Sequence, residues 1–452
     1  MILSKIRITI DAKTNKIARI TPIPKGIEIE IGKKIITYPK NCYVMPGFVD
    51  SHIHFFGVGE MSLMPNFADC RSEDDIVDKI KSSSFRRGEW IVGFGWNQEN
   101  FQNKQYPNKS VFDKAFPSTP VYLKRIDGHS ALINTCAEKI IGLNNNTKNP
   151  PGGLILRDKY NNLTGILIDN AMDLVQSIIP FYSKSQIEEI VSISENILTK
   201  MGITEVYDMD FYPELCDYFA KNSNKFKLRI NSFVKSQNDE WKGVCKLPIN
   251  KKMWKLIGFK YYLDGALGSR GASLLEKYQD FDTTGLDLMT AEKLFCKVSE
   301  ALEQNLSVAV HAIGDKANRI ALQTFSAFPQ QKNKLRIEHC QIINEKDLNY
   351  LRNSNIICSV QPIHYVSDTS SNMAIARIGN ERMKDAYRWR SLINNGAVLV
   401  AGSDAPIESA NPFLGIQAFV NSRNENELLT INQALDAYIL NPHKIYKKKR
   451  GK

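Results

Sequence analysis

Eight short apolar runs, separated by segments of helical period, constrain this 452-residue chain more than any other feature. The runs lie at 46–52, 203–209, 228–234, 256–264, 306–312, 335–340, 356–362 and 397–402. The candidate helices lie at 185–201, 211–222, 291–304, 315–327, 345–353 and 381–394. Such alternation is typical of parallel βα units, and eight units favour an α/β fold of the (β/α)8, TIM-like barrel type. An open dinucleotide-binding sheet is disfavoured because no G-x-G-x-x-G follows the first run.

The segment ahead of the barrel reads as β-structure. Residues 3–10 and 27–37 alternate apolar and polar side chains, as half-buried strands do. This pattern predicts a small β-layer over 1–44, ahead of the main domain, and the chain ends in a basic tail at 443–452.

The barrel itself is expected over 45–442. The stretch 57–183, after the first barrel strand, is too long for a bare loop. It contains strand-like runs at 90–96 and 121–127. We therefore predict a large structured insertion over the barrel mouth, where loops that select substrates belong.

Composition excludes several classes of protein. The net charge is +11, but six of the positive charges lie in the tail at 443–452, so we expect no nucleic-acid partner. No apolar run approaches the roughly 18 residues of a membrane span, and no secretory signal is visible, so we expect a cytoplasmic protein without a membrane partner. The eight cysteines are scattered singly, which predicts reduced, mostly buried thiols.

Histidines collect at the ends of the predicted barrel strands. His52 and His54 follow the first run and share one strand face. Further candidate ligands follow the fifth to eighth runs: His311, His339, His364 and Asp404. The carboxyl ends of barrel strands meet at one mouth, so these groups should converge there. Imidazoles with a carboxylate predict a site for one or two divalent ions, most readily Zn²⁺, with Fe, Mn or Ni also suited.

At these positions the chain resembles the amidohydrolase superfamily. The matching segments are PGFVDSHIHF, VHAIGD, RIEHCQ and GSDAP. WIVGFGWNQENF, VYLKRIDGHSALIN, YLDGALGSRGASL and SVQP narrow the resemblance to the amidohydrolase 3 group, which includes N-substituted formamide deformylase-like enzymes. The resemblance extends from about Val44 to Pro442. It implies that 1–44 is the N-terminal β segment of a small β-sandwich domain, which is expected to be incomplete, either reduced or truncated, because a basic tail stands where the family has further strands. It implies metal ligation by His52, His54, His311, His339 and Asp404.

Lys260 lies on the fourth run, in GFKYYLDGALGSR. The resemblance implies that it carries a CO2-derived carbamate that bridges two metal ions. Strand parity places Lys260, Tyr262 and Asp264 on one face, so the pattern leaves the register open. The alternative is an unmodified lysine at a solvated strand end.

The mechanism expected from these parts is attack of metal-bound hydroxide on a carbonyl carbon. Asp404 would act as general acid and base, with His364 or Tyr262 polarising the carbonyl oxygen. Asp50 could orient an imidazole or serve packing alone. Candidate substrate contacts are Arg125, Asp127 and His129 in RIDGHS, Tyr262, Ser269 and Arg270 after the fourth strand, and Gln361 in SVQP. Several of these, Arg125, Asp127 and Arg270 in particular, could instead form structural ion pairs.

We therefore expect a hydrolase that cleaves a C–N bond, of amide or N-formyl type, in a small molecule. An ester, lactone or carbamate substrate on the same centre is an alternative. A deaminase is disfavoured because HAIGDK has no Glu soon after His311. A catalytically silent binding protein is disfavoured because every ligand position is retained. A homodimer is compatible with the sequence.

Overall fold

The computed structural model describes residues 3–14, 16–239, 248–331, 334–352 and 354–445. Its strands are β1 (Ile6–Asp11), β2 (Lys16–Pro22), β3 (Ile27–Ile31), β4 (Lys34–Tyr38), β5 (Phe48–Ile53), β6 (Ile91–Trp96), β7 (Val121–Arg125), β8 (Ser130–Ile133), β9 (Gly153–Arg157), β10 (Leu163–Asp169), β11 (Ile203–Phe211), β12 (Arg229–Lys235), β13 (Ile249–Asn250), β14 (Trp254–Tyr262), β15 (Ser307–Ala312), β16 (Leu335–His339), β17 (Ile357–Val360) and β18 (Val398–Ala401).

The α-helices are α1 (Phe55–Leu63), α2 (Glu73–Ser82), α3 (Lys109–Ala115), α4 (Thr135–Ile140), α5 (Asp173–Gln176), α6 (Lys184–Lys200), α7 (Cys216–Asn222), α8 (Ala291–Glu303), α9 (Asp315–Ser326), α10 (Pro362–Ser370), α11 (Met373–Arg382), α12 (Trp389–Asn394), α13 (Pro412–Val420), α14 (Ile431–Tyr438) and α15 (Leu440–Ile445).

Eight parallel strands form the central sheet, in the order β18-β17-β16-β15-β14-β12-β11-β5. Its two edge strands meet just past their carboxyl ends. The Asp404 amide donates to the His52 carbonyl at 2.7 Å, and the His54 amide donates to the Ala405 carbonyl at 2.9 Å. The sheet is thus a nearly closed barrel with helices outside it, which confirms the predicted fold. Each of the eight apolar runs is one of its strands.

The barrel interior is filled by side chains and is not a pore. Val49, Tyr207, Met209, Phe233 and Ala309 form its apolar cluster. The buried guanidinium of Arg336 lies over the rings of Tyr207 and Phe233, with its carbon 5.1 and 5.2 Å from the ring centroids. An unpaired charge here would be costly, so the partners of Arg336 matter for the site above it.

The N-terminal segment forms a four-stranded sheet in the order β2-β1-β3-β4. The run at 27–37 is two strands and not one. Gly32, with φ of 58°, turns the chain between them, a backbone conformation that glycine adopts without strain. Ile6, Ile8 and Ile27 form the small buried core of this sheet.

The stretch after the first barrel strand contains a second sheet, in the order β6-β7-β8-β10-β9. Alternation along β7 divides its side chains between two cores. Val121 and Leu123 pack with the helices of the insertion, whereas Tyr122 belongs to the main core shared with the barrel. The insertion is therefore packed on the barrel through one face of this sheet.

Three helix predictions differ in detail from the structure. The segment at 345–353 is a 3-10 helix over Glu345–Leu351, and 381–394 is divided between the end of α11 and α12. Strand β11 extends to Phe211, so the helix predicted from 211 begins only at Cys216. Tertiary packing decided these ends, which local periodicity alone does not define.

Cys216 is disulfide-bonded, so the prediction of reduced thiols is wrong at this position. The free cysteines are Cys42, Cys70, Cys136, Cys296, Cys340 and Cys358. No helix among the described residues has the length and apolar character needed to cross a membrane. Most of the predicted basic tail, from 446 onward, lies outside the described residues.

Candidate metal centre

A cavity of about 370 Å³ opens at the carboxyl ends of the barrel strands. The chain segments that end there belong to strands far apart in sequence, which the barrel brings to one rim. The predicted site residues that line the cavity are His52, His54, Lys260, Tyr262, His311, His339, His364 and Asp404.

Asp404 lies at the middle of the histidines. One carboxylate oxygen, Oδ1, lies 3.0 Å from Nε2 of His54 and 3.3 Å from Nε2 of His52. The other, Oδ2, lies 3.5 Å from Nε2 of His364. Potential ligand atoms fall into two groups within 4.8 Å, His52–His54–Asp404 and His339–His364–Asp404. The carboxylate is common to both groups.

Several of these atoms are buried and have no hydrogen-bond partner among the described residues. They are Nε2 of His52, Nδ1 of His339, Nε2 of His364 and Oδ1 of Asp404. Buried polar atoms normally have hydrogen-bond partners, so a group of buried polar atoms without them requires an explanation. Imidazole nitrogens and carboxylate oxygens are the ligands of divalent transition metals. The residues present therefore fit a metal ion at this position.

His311 and Lys260 lie deeper on the same wall. The ring of His311 is 4.4 Å from that of His339, between centroids. Lys260 is only 1% exposed, and its Nζ lies 4.7 Å from the Tyr262 ring centroid. The alternative of a solvated lysine is thereby excluded. Asp264 does not line the cavity, whereas Lys260 and Tyr262 do, so the open register is resolved in favour of these two. The Asp264 carboxylate accepts hydrogen bonds from the backbone amides of 273, 313 and 314, and its Oδ1 lies 3.5 Å from Nε2 of His311.

Glu338 orients His52. Its Oε2 lies 2.7 Å from Nδ1 of His52, which leaves Nε2 directed at the centre. Its Oε1 accepts a hydrogen bond from Nε of Arg336 at 2.8 Å, and Arg336 also donates to the Ser51 carbonyl and to Ser359. A carboxylate behind a ligating histidine sets its tautomer and raises its basicity.

Of the two roles left open for Asp50, its contacts support the structural one. Its carboxylate accepts the backbone amides of His52, at 3.1 Å, and of Ser403, at 3.0 Å. It therefore joins the first and last barrel strands. Sequence reasoning missed Glu338, although LRIEH carried a signal: two charged residues alternate with apolar ones in a strand that must be buried.

Burial and neighbouring charges shift the pKa values of the centre. Burial alone would raise the pKa of Asp404, but His52 and His54 outweigh it and hold the pKa well below its ordinary range. Burial, with Lys260, lowers the pKa of His311 to about 3. Burial, with His311 and His52, lowers the pKa of His339 well below its usual value. An ionised carboxylate and neutral imidazoles are the states that bind metal.

Asp210 is a second residue that the sequence analysis missed. It lies near the carboxyl end of β11, the second barrel strand, and accepts a hydrogen bond from the Tyr262 hydroxyl. Its Oδ2 is 3.7 Å from Nδ1 of His54. Its φ is 55°, and His339 and Asp404 have φ of 73° and 60°. Left-handed backbone at non-glycine residues is strained and concentrates at functional sites.

The other predicted substrate contacts lie elsewhere. Gln361 is buried, and its Nε2 donates a hydrogen bond to the Ser359 carbonyl at 3.2 Å. Ser269 donates to the Ala266 carbonyl at 3.3 Å. Arg270 forms an ion pair with Asp280 at 2.8 Å. The cavity lining includes none of the three, and their contact with substrate stays a prediction.

The RIDGHS segment lies at the insertion surface. Arg125 donates to Gln98 at 2.7 Å and forms an ion pair with Asp127. Nδ1 of His129 lies 2.9 Å from Asp169, and its side chain is 54% exposed. These side chains also do not line the cavity, so their role in substrate recognition stays a prediction.

A nearly closed barrel with imidazoles and a shared carboxylate at its mouth defines a metal-dependent hydrolase. The profile of the Amidohydrolase family matches residues 40–452. The chain belongs to the amidohydrolase family, which confirms the resemblance described above.

Individual proteins agree with this assignment. YtcJ of Bacillus subtilis (strain 168), named for the same family, is 33% identical over 87% of this chain and 78% of its own length. N-substituted formamide deformylase of Arthrobacter pascens is 21% identical over 88% of this chain and 78% of its own. An uncharacterized metal-dependent hydrolase from Pyrococcus furiosus superposes with a TM-score of 0.74 at 26% identity, covering 89% of this chain and 82% of that one.

Proposed function

We propose that this protein hydrolyses a C–N bond, of amide or N-formyl type, in a small molecule. The observation that carries the proposal is the position of Asp404, whose two oxygens face His54 at 3.0 Å and His364 at 3.5 Å inside the cavity. A carboxylate so placed can both hold a cation and move a proton. The similarity to N-substituted formamide deformylase supports the bond type.

The proposed ligands are His52, His54, His311, His339 and Asp404, and Zn²⁺ is the cation best suited to this nitrogen and oxygen set. A divalent ion bound there acts as a Lewis acid and lowers the pKa of a coordinated water.

Asp404 accepts the proton of the attacking water and delivers it to the leaving nitrogen. Its pKa, held low by His52 and His54, keeps the carboxylate ionised, which is the form that has a free site for a proton. We assign His364 to the carbonyl oxygen of the substrate, because its Nε2 is unpartnered while the Tyr262 hydroxyl already donates to Asp210. Tyr262 then holds Asp210 and forms the wall beside Lys260.

Lys260 is proposed to carry a carbamate. An ammonium buried to 1% exposure among histidines is costly, whereas the carbamate formed with CO2 is an anion that cations stabilise. Intact-protein mass measured under gentle ionisation with ¹²CO2 and ¹³CO2 tests this directly. A mass increment that shifts with the isotope and is absent from Lys260→Met supports the carbamate, and an unmodified mass contradicts it.

The bond type is tested with matched substrates that differ only at the scissile link. Metal-loaded protein is incubated with N-benzylformamide, N-benzylacetamide and benzyl acetate, and products are followed by mass spectrometry. Release of benzylamine by the wild-type protein, but not by the Asp404→Asn variant, supports the proposal. Release of benzyl alcohol alone would assign the centre to esters.

A further inference from the structure

The wall of the cavity beyond the histidines is acidic. It is lined by Asp368 on α10, Glu408 after β18, and Gln341 after β16. Lys260, at the base, is the only Lys or Arg among the described residues of the lining. The remaining lining includes apolar side chains, among them Leu267, Met373 and Ile407.

Asp368 has one oxygen free. Its Oδ2 receives both available donors, Nε2 of Gln341 at 2.8 Å and the hydroxyl of Tyr387. Its Oδ1 has no hydrogen-bond partner among the described residues. The two donors hold the carboxylate in place without satisfying it.

Gln341 presents an acceptor of its own. The residue is only 5% exposed, and its amide nitrogen donates to Asp368 and to the Tyr387 hydroxyl, each at 2.8 Å. Its side-chain oxygen has no partner in the described part of the chain. Since Gln341 lines the cavity, this oxygen can accept a hydrogen bond from a ligand.

Glu408 adds a second carboxylate at the rim. Its Oε1 accepts the hydroxyl of Ser367, and Oε2 has no partner among the residues that the structure describes. The neighbouring Ile407 is 71% exposed, so this side of the cavity faces the entrance. Three acceptors without a donor among the described residues, two of them carboxylate oxygens, therefore belong to side chains that line this cavity.

We propose that the substrate carries a protonated amine, seated between Asp368, Glu408 and the Gln341 oxygen while its scissile bond lies at the metal centre. This substrate class rests on the proposed function. An alkylammonium brings three N–H donors and one positive charge, which match the acceptors in number and sign. A neutral group would leave the carboxylates unpaired, and an anionic group would be repelled by both.

The kinetic test compares three acetamides of similar length: mono-N-acetyl-1,4-diaminobutane, N-butylacetamide and 4-acetamidobutanoate. We expect kcat/KM for the cationic compound to exceed that for the neutral one at least tenfold, and the anionic compound to be the poorest. Glu408→Gln and Asp368→Asn should each reduce the cationic preference roughly 10- to 100-fold, the usual effect of losing a hydrogen bond to a charged group. Asp217→Asn, which changes an exposed carboxylate on α7, is the matched control and should leave the ratio unchanged.

A binding test makes the inference independent of turnover. Titration calorimetry of the metal-loaded protein with butylammonium chloride and with sodium butyrate requires no hydrolysis. Suppose that no acetamide is cleaved, but that butylammonium binds and Glu408→Gln weakens its binding tenfold. The amide proposal then fails, and the cation site is supported. Equal binding of both ions, or a cationic preference that survives both substitutions in folded variants, overturns the cation site. Melting temperatures show whether each variant is folded. If Asp368→Asn does not fold, Glu408→Gln, which changes a residue on a loop, tests the cation site alone.

Discussion

Nδ1 of His52 lies 2.7 Å from Oε2 of Glu338, although 286 residues separate the two in the chain. The barrel brings the first strand against the sixth across its interior. Glu338 in turn neutralises Arg336, whose burial would otherwise be costly. One carboxylate thus connects the packing of the barrel interior to the orientation of a proposed metal ligand.

Glu338→Gln should weaken both functions of this carboxylate. Loss of the charge leaves Arg336 uncompensated, so we expect the unfolding free energy to fall by about 3–5 kcal/mol. Loss of the orienting partner should weaken metal affinity about 10- to 100-fold. Chelator competition and denaturant unfolding measure the two effects.

Glu205→Gln is the matched control. Glu205 also pairs with an arginine, Arg229 at 2.7 Å, but near the amino ends of the barrel strands and partly exposed. It should change metal affinity by less than about twofold and stability by about 1 kcal/mol or less. Equal metal affinity in the Glu338 and Glu205 variants would show that Glu338 does not position His52.

Asp404→Asn should retain metal at least in part but lose most turnover. The amide oxygen can still serve as a ligand, but the amide cannot accept a proton. A loss of roughly 10²–10⁴-fold in kcat is expected for a general acid–base group. Steady-state kinetics at matched metal content measure it, and a variant within about threefold of wild type would remove Asp404 from the proton transfer.

Asp208→Asn should change how stability depends on pH. Burial raises the pKa of Asp208 from 3.8 to about 7, so the folded state holds this proton more tightly than the unfolded state does. The stabilisation from protonation is complete below 3.8 and is lost as pH rises towards about 7. The asparagine can keep the acceptor for the Phe55 amide and has no proton to lose.

The unfolding free energy of the variant should therefore fall less steeply than that of wild type over this window. Denaturant unfolding of metal-free protein at several pH values measures the difference, with Asp217→Asn as the control. Parallel pH profiles for Asp208→Asn and wild type would show that Asp208 titrates normally in the folded state.

His129→Ala examines the predicted role of the insertion surface. Since the ring is half-exposed and paired with Asp169 away from the cavity lining, we expect metal content and the ratio of kcat/KM between two substrates to stay unchanged. A modest drop in melting temperature is expected from loss of the pair. A selective loss of kcat/KM for the larger substrate would support the sequence-based assignment of His129 to substrate recognition.

The parts of the centre that the sequence predicted share one property. His52, His54 and His311 lie at or just past the ends of apolar runs, where barrel geometry alone brings side chains together. Once eight runs are recognised, the location of the centre follows from topology.

The parts that the sequence did not predict depend on local backbone and on pairings across the barrel. His339 and Asp404 were predicted as ligands, but not the left-handed backbone from which they point into the mouth, because strand alternation does not anticipate it. The role of Glu338 depends on a partner on a distant strand. The acidic wall depends on Asp368 and Glu408, which lie outside the barrel strands whose ends the sequence pattern locates.

The central claim is tested most directly by metal analysis of the purified protein, with hydrolysis measured before and after chelation. We predict one or two molar equivalents of a divalent transition metal, bound by wild type and by His443→Ala, whose histidine lies away from the centre near Glu205. His52→Ala should lose both bound metal and hydrolytic activity. Wild-type protein whose metal has been removed by a chelator should regain hydrolytic activity when Zn²⁺ is added. Full hydrolysis by metal-free protein would contradict the account.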